Sequence, residues 1–206
     1  SVLYSLNGPK LAAAANAGGG LWFDGVSDSV TLPPVDADFS TGFTLEAWVN
    51  FASSGPYARI LELCNGWTIN SIILARDNGT PDLGIWVTRD GNTGILVAKG
   101  VIQNGAWMHV AVTLSNVSSG SGTATIYIDG QAKATGSILA PRPGALNTAY
   151  LGKSSAAWDP LFQGRMSEVR IWNRARTPEE IQAARYQRLD PAEPGLVAYY
   201  PLDERD

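Results

Sequence analysis

Along most of this chain apolar residues recur at every second position. In "FTLEAWVNF", Phe43, Leu45, Ala47, Val49 and Phe51 fall on one side and Thr44, Glu46, Trp48 and Asn50 on the other. Strict alternation of this length predicts a β-strand with one face on a core. "LGIWVT" repeats it, setting Leu83, Ile85 and Val87 against Gly84, Trp86 and Thr88, and "WMHVAVTL" places Met108, Val110, Val112 and Leu114 together. Further strands are predicted at Leu21–Phe23, Ser29–Leu32, Ile60–Leu63, Ser71–Ala75, Ile95–Ala98, Ala149–Gly152, Met166–Trp172 and Leu196–Tyr200. Gly, Asn, Asp and Pro separate them at roughly 8–12 residues, the spacing of a sandwich or barrel. In "TATIYIDGQAKAT", Asp129-Gly130 supplies the positive φ angles of a tight type I′ turn, which predicts a β-hairpin. By composition, "SNVSSGSGT" reads as a loop.

One segment has a different period. "TPEEIQAARYQRL" begins with Thr177 as N-cap, Pro178 at the first helical position and Glu180 at N3, a capping box with a proline start. Ile181, Ala184 and Leu189 give the predicted helix an apolar stripe. Residues 1–20, with "KLAAAANAGGG", read as a small-residue linker, 21–190 as one domain, and 191–206 as a last strand or the lead into a following module.

Composition narrows the function classes. A net charge of −4 over 206 residues carries no electrostatic footprint for nucleic acid or an anionic membrane. No apolar run reaches the length of a membrane span, so no insertion is expected. Cys64 is the sole cysteine, which excludes an internal disulfide and a cysteine-based zinc site.

Six segments follow in an order that resembles a known family: "LWFDGVSDSVTLP", "FTLEAWVNF", "WMHVAVTL", "ATIYIDGQ", "AYLGKS" and "FQGRMSEVRIWNRARTPEEI". The sequence resembles the laminin-G-like, concanavalin-A-like domains, in particular their bacterial branch. The resemblance implies an all-β fold, a two-sheet antiparallel jelly-roll sandwich with one short C-terminal helix. It also implies binding of carbohydrate, protein or matrix components and, in many relatives, a structural calcium ion (Ca2+). Some relatives are glycoside hydrolases.

A hydrolase needs two carboxylates across one sugar bond. The Glu-x-Asp-x-x-Glu run of the related glucanases is missing. Glu46 and Glu62 are each the lone acid of their strands, and Glu168 is followed by Arg170. His109, the one histidine, lies inside the "WMHVAV" framework, where packing is its expected role, and Cys64 has no second histidine to activate it. The chain is therefore read as a non-enzyme.

For calcium, "FDGVSD" sets Asp24 and Asp28 at the ends of a tight loop. Either residue can instead be a plain turn former. Glu168 is the third candidate. It is placed on one strand face with Met166, Arg170 and Trp172, where it needs Arg165, Arg170, Arg174 or a metal.

Of seven tryptophans, Trp48, Trp107 and Trp172 fall in framework motifs and Trp22 is expected in the core. Trp67, Trp86 and Trp158 lie outside them. An exposed ring stacks on the apolar face of a sugar while neighbouring polar groups bind hydroxyls. Arg76, Asp77, Arg89 and Asp159 are the candidates for the latter. The expected function is calcium-assisted, non-catalytic binding of a glycan or glycoconjugate, as a module of a larger extracellular or cell-surface protein. Docking to a protein partner without sugar is the first alternative, and polysaccharide cleavage the second.

Overall fold

The computed structural model describes residues 19–53 and 55–203. The strands are β1 (Leu21–Asp24), β2 (Val30–Leu32), β3 (Phe43–Phe51), β4 (Arg59–Cys64), β5 (Asn70–Arg76), β6 (Leu83–Arg89), β7 (Asn92–Ala98), β8 (Trp107–Ser118), β9 (Ser121–Ile128), β10 (Gln131–Leu139), β11 (Thr148–Leu151) and β12 (Gln163–Trp172). The helix α1 (Pro178–Ala184) and strand β13 (Leu196–Tyr200) follow. Sheet A has the order β1-β12-β3-β8-β9-β10, with β13 also paired to β12, and sheet B the order β2-β11-β4-β5-β6-β7. All the pairings are antiparallel. This is the two-sheet jelly-roll sandwich expected.

The alternating segments build the core. Phe43, Leu45, Val49, Phe51, Val110 and Val112 from sheet A meet Ile72, Leu74, Ile85 and Val87 from sheet B, all buried in one cluster. Asp129 and Gly130 take positive φ angles of 51° and 79° and join β9 to β10, as the hairpin chemistry requires.

Four expectations are corrected. "SNVSSGSGT" is not a loop but the end of a long hairpin, in which β8 turns into β9 through Ser119 and Gly120 at φ 52° and 79°. Backbone pairing there continues beyond the last apolar residues, which composition does not register. Strand β12 does not keep one alternation. Its register to β3 shifts between Ser167 and Arg170, and Glu168 sits in the bulge at φ 54°. One extra residue changes the phase. Met166 before the bulge and Val169 and Ile171 after it all join the sandwich core. The helix is also shorter than its apolar stripe implied, ending at Ala184. Trp22 is not core. It is 41% exposed, with the Arg165 guanidinium 5.6 Å from its ring.

Helix α1 closes the outer side of sheet A. Thr177 accepts from the Glu180 amide and Glu180 accepts from the Thr177 amide, completing the box. Ile181 packs on Ala111 and Tyr127, while Ala184 and Leu189 pack on Trp172 and Tyr199. Arg170 reaches from β12 and donates to the carbonyls of Ala184 at 3.0 Å and Gln187 at 2.6 Å. The charged run 162–181 is thus a clamp that holds the helix on the sheet. Within 191–206, residues Leu196–Tyr200 form a strand of this sandwich. Most of the linker assigned to 1–20 lies outside the described residues.

Candidate ligand-binding face

The outer side of sheet B is ordered by register. Tyr150, Glu62, Ile73, Trp86 and Ile95 are successive partners across β11, β4, β5, β6 and β7. Trp86 therefore points away from the core, as its alternation predicted. Its ring lies over Gly84, where a methyl group would come within 2.3 Å of it, and meets Tyr57 edge to face at 6.1 Å. Only glycine leaves room for that ring on the sheet.

The segment between β11 and β12 folds back over this face. Its anchor is Glu62, a fully buried carboxylate. Glu62 accepts from Arg59 Nε at 3.1 Å, Ser154 Oγ at 3.3 Å, the Ser155 amide at 3.1 Å and the Ser155 hydroxyl. A charge so placed must be paired and hydrogen-bonded. Arg59 also donates to Asp159 Oδ2 at 2.8 Å and to the Tyr57 carbonyl at 2.6 Å. One buried ion pair thereby fixes two aromatic groups. One is the Tyr57–Trp86 pair. The other is Trp158, 75% exposed, which meets Trp67, 47% exposed, edge to face at 6.2 Å.

The structure brings Trp67, Trp158 and Asp159 together and links them through Arg59 to Trp86. Asp159 is committed to Arg59. The other predicted polar residues stand elsewhere. Arg76 is buried, donates to the Thr80 carbonyl at 2.7 Å and lies 6.0 Å from the Phe51 ring. Asp77 faces Lys99 at 3.8 Å. Arg89 pairs with Asp90, which also binds Arg142. Arg76 and Arg89 occupy opposite ends of the β5–β6 ladder. The sequence reading missed Tyr57, Arg59, Ser154 and Ser155. The signal for them was Glu62 itself, an outward acid in the otherwise apolar "ILELC".

The remaining reactive groups are sealed. Cys64 is buried, with Sγ 3.6 Å from Glu62 Oε1, and burial pushes its thiol up. His109 is buried under α1 against Trp48, and burial lowers its pKa. Beside it, Glu46 binds Arg176 at 2.7 Å and lies 3.6 Å from Arg170. Burial pushes the Glu46 carboxyl up, but His109 and the two guanidiniums outweigh it and hold the pKa at about 2.

Comparison with known families settles the lineage. The laminin G 3 profile of the concanavalin A-like lectin/glucanases superfamily matches residues 24–182. The chain belongs to this superfamily. No curated protein matches the sequence of this laminin G-type domain. Solved structures share its fold. Domain 4 of AbnA, an extracellular GH43 arabinanase from Geobacillus stearothermophilus in complex with arabinotriose, is 20% identical with a TM-score of 0.61, over 79% of this chain and 74% of that one. The CBM40 of a Ruminococcus gnavus IT-sialidase, bound to α2,3-sialyllactose, is 13% identical with a TM-score of 0.55, over 76% and 95%. Tailspike protein 2 of an Escherichia coli O157:H7 bacteriophage is 18% identical with a TM-score of 0.62. The laminin G-type domain covers only 27% of that tailspike, over 93% of its own length.

The residues expected to hold calcium in this laminin G-type domain do not converge. Asp24 Oδ1 accepts from the amides of Val26, Ser27 and Asp28 at 2.8–3.0 Å, and its Oδ2 from the Ser27 hydroxyl. The amides of Ser27, Val26 and Asp28 hold its carboxyl well below the usual range. Asp28 Oδ2 accepts from the Asp24 amide. Glu168 takes Tyr199 Oη on both oxygens, at 2.6 and 2.7 Å, and Arg170 at 2.6 Å. It stands five residues along β12 from Gln163, the partner of Asp24, or roughly 16 Å at strand rise. Glu168 is thus separated from the loop, and the three side chains do not fit one calcium shell. Among the described residues no group of three or more acidic, histidine or cysteine side chains is placed to hold a metal.

Proposed function

We propose that this domain is a non-catalytic, lectin-like module that binds carbohydrate on the outer face of sheet B. The observation that carries this reading is the exposed Trp67–Trp158 pair, held by the buried Arg59–Glu62–Asp159 bonds. A protein does not expose two indoles on facing loops for stability, since burying them is worth more. Exposed and fixed in place, they offer stacking surfaces for the C–H faces of sugar rings at low entropic cost. The arabinotriose complex of the arabinanase domain and the sialyllactose complex of the sialidase module support this reading by analogy of fold. Glu46, Glu62 and Glu168 are each buried in ion pairs, which supports binding without cleavage. Because the Asp24 loop satisfies itself, the binding proposed here does not depend on calcium. The domain serves as a binding module of a larger extracellular or surface protein, a reading supported by the tailspike, where the matching region is a minor part of the chain.

A glycan array, followed by calorimetric titration of the best ligand with and without EGTA, tests this. Trp158→Ala and Trp67→Ala should each weaken binding by about 1–3 kcal/mol while melting stays near wild type. Retention of no glycan, with capture of a protein partner through the same tryptophans, would replace sugar by protein as the ligand.

A further inference from the structure

A second concave site lies where the ends of the two sheets meet, between the segment after β7 and the β9–β10 hairpin. It is a cavity of about 510 Å³, within the range that takes one or two sugar rings. Met108 and Ile128, both buried, lie at its base, while the indole of Trp107 turns the other way, across β3 toward Gly20. Gln131, Lys133, Lys99 and Asp129 supply its polar groups.

The charges there are not equivalent. Lys99 is bound by Asp82 at 2.9 Å and approaches Asp77 at 3.8 Å. Asp129 is committed to the turn, with its Oδ1 accepting from the His109 amide. Lys133 has no carboxylate partner among the described residues. Its Nζ donates to Gln131 Oε1 at 3.1 Å, which leaves the Gln131 amide N–H groups beside an ammonium. An ammonium next to amide donors, over an apolar base, matches a ring with hydrophobic C–H bonds on one side and a carboxylate at its edge. On sheet B, by contrast, Arg59 is already committed to Glu62 and Asp159.

We propose that this cavity binds the carboxylated residue of an acidic saccharide, its ring against Ile128 and Met108 and its carboxylate on Lys133 and the Gln131 amide. It is independent of the tryptophan face and selects a different sugar chemistry.

The test is calorimetric titration of the full chain with D-glucuronate and D-galacturonate, with glucose and galactose as neutral counterparts. Uronate binding should be saturable, absent for the neutral sugars, and several-fold weaker at high salt. Lys133→Glu, at an exposed strand position, should weaken it roughly tenfold or more with an unchanged melting temperature. Trp158→Ala should leave it untouched. Failure of either uronate to bind, equal binding of the neutral sugars, or wild-type affinity in Lys133→Glu overturns the proposal. Loss of uronate binding in Trp158→Ala would do the same, by moving the ligand to sheet B.

Discussion

The outer faces of the two sheets solve the same problem in opposite ways. Both carry buried carboxylates and arginines where an open sheet would meet water. On sheet A, Glu46, Glu168, Arg170 and Arg176 are roofed by α1, and aromatic residues such as Trp172 are sealed beneath it. On sheet B, Glu62 and Arg59 are covered by a loop that turns its indole outward. A charged network beneath a covering element is therefore no mark of function by itself. What distinguishes the faces is what the covering element does with its aromatic side chain.

The largest test of that contrast is Arg170→Met. It removes the partner of Glu168 and the ties to the helix carbonyls, and it leaves a buried carboxylate short of its counter-charge. We expect a loss of about 3–5 kcal/mol, read as a denaturant midpoint. A midpoint at the wild-type value would mean that the roof on sheet A is decorative. Close behind comes a tryptophan comparison. Trp172→Ala should cost about 3–5 kcal/mol as a core truncation, whereas Trp158→Ala should stay within about 0.5 kcal/mol. Similar losses for both would erase the distinction between the faces.

Acid should act through sheet A. Glu46 has its pKa depressed from 4.5 to about 2, so the stability it contributes is present above pH 4.5 and lost as pH falls through 2. His109, its pKa depressed from 6.5, adds a loss in the same direction below that value. Glu168, raised by burial, works in the opposite sense. Melting temperature should therefore fall on acidification, and Glu46→Gln should flatten the limb between pH 4.5 and 2. A limb unchanged in Glu46→Gln would assign the acid sensitivity elsewhere. Thr177→Ala should cost about 1 kcal/mol, the worth of one N-cap. Full stability in that variant would mean that α1 is held by Arg170 and Ile181 alone. The smallest effect is expected from calcium. Millimolar Ca2+ against chelator should leave the melting curve in place, because Asp24 already spends its oxygens on loop donors. A clear rise would reveal a shell built from other oxygens.

The fold was legible wherever its cause is local. Alternation in β3, β6 and β8, the Asp129-Gly130 turn and the Thr177 cap each depend on neighbours within a few residues. The bulge at Glu168 was not legible, because a single inserted residue leaves no period of its own and shows only against the partner strand. The candidate site divides in the same way. The outward direction of Trp86 follows from parity. The Trp67–Trp158 pair does not, since it needs Glu62 to find Ser154 and Ser155 across more than 90 residues. Arg76 and Arg89 looked equivalent in sequence, yet a ladder of seven residues places them at opposite ends.

Strand β12 also decides where the described chain enters and leaves. Leu21 pairs with Met166 and Tyr200 with Val169, so entry and exit lie on one border of sheet A, roughly 10 Å apart at strand rise. Two points so close can be joined by a few residues, or spliced into a surface loop of a host, without bending the sandwich. The domain is thus suited to circular permutation, for instance by opening the Ser119–Gly120 turn, and to insertion as a cassette. In either arrangement the tryptophan-bearing sheet, which contributes neither β1 nor β13, keeps its outer face clear of the junction.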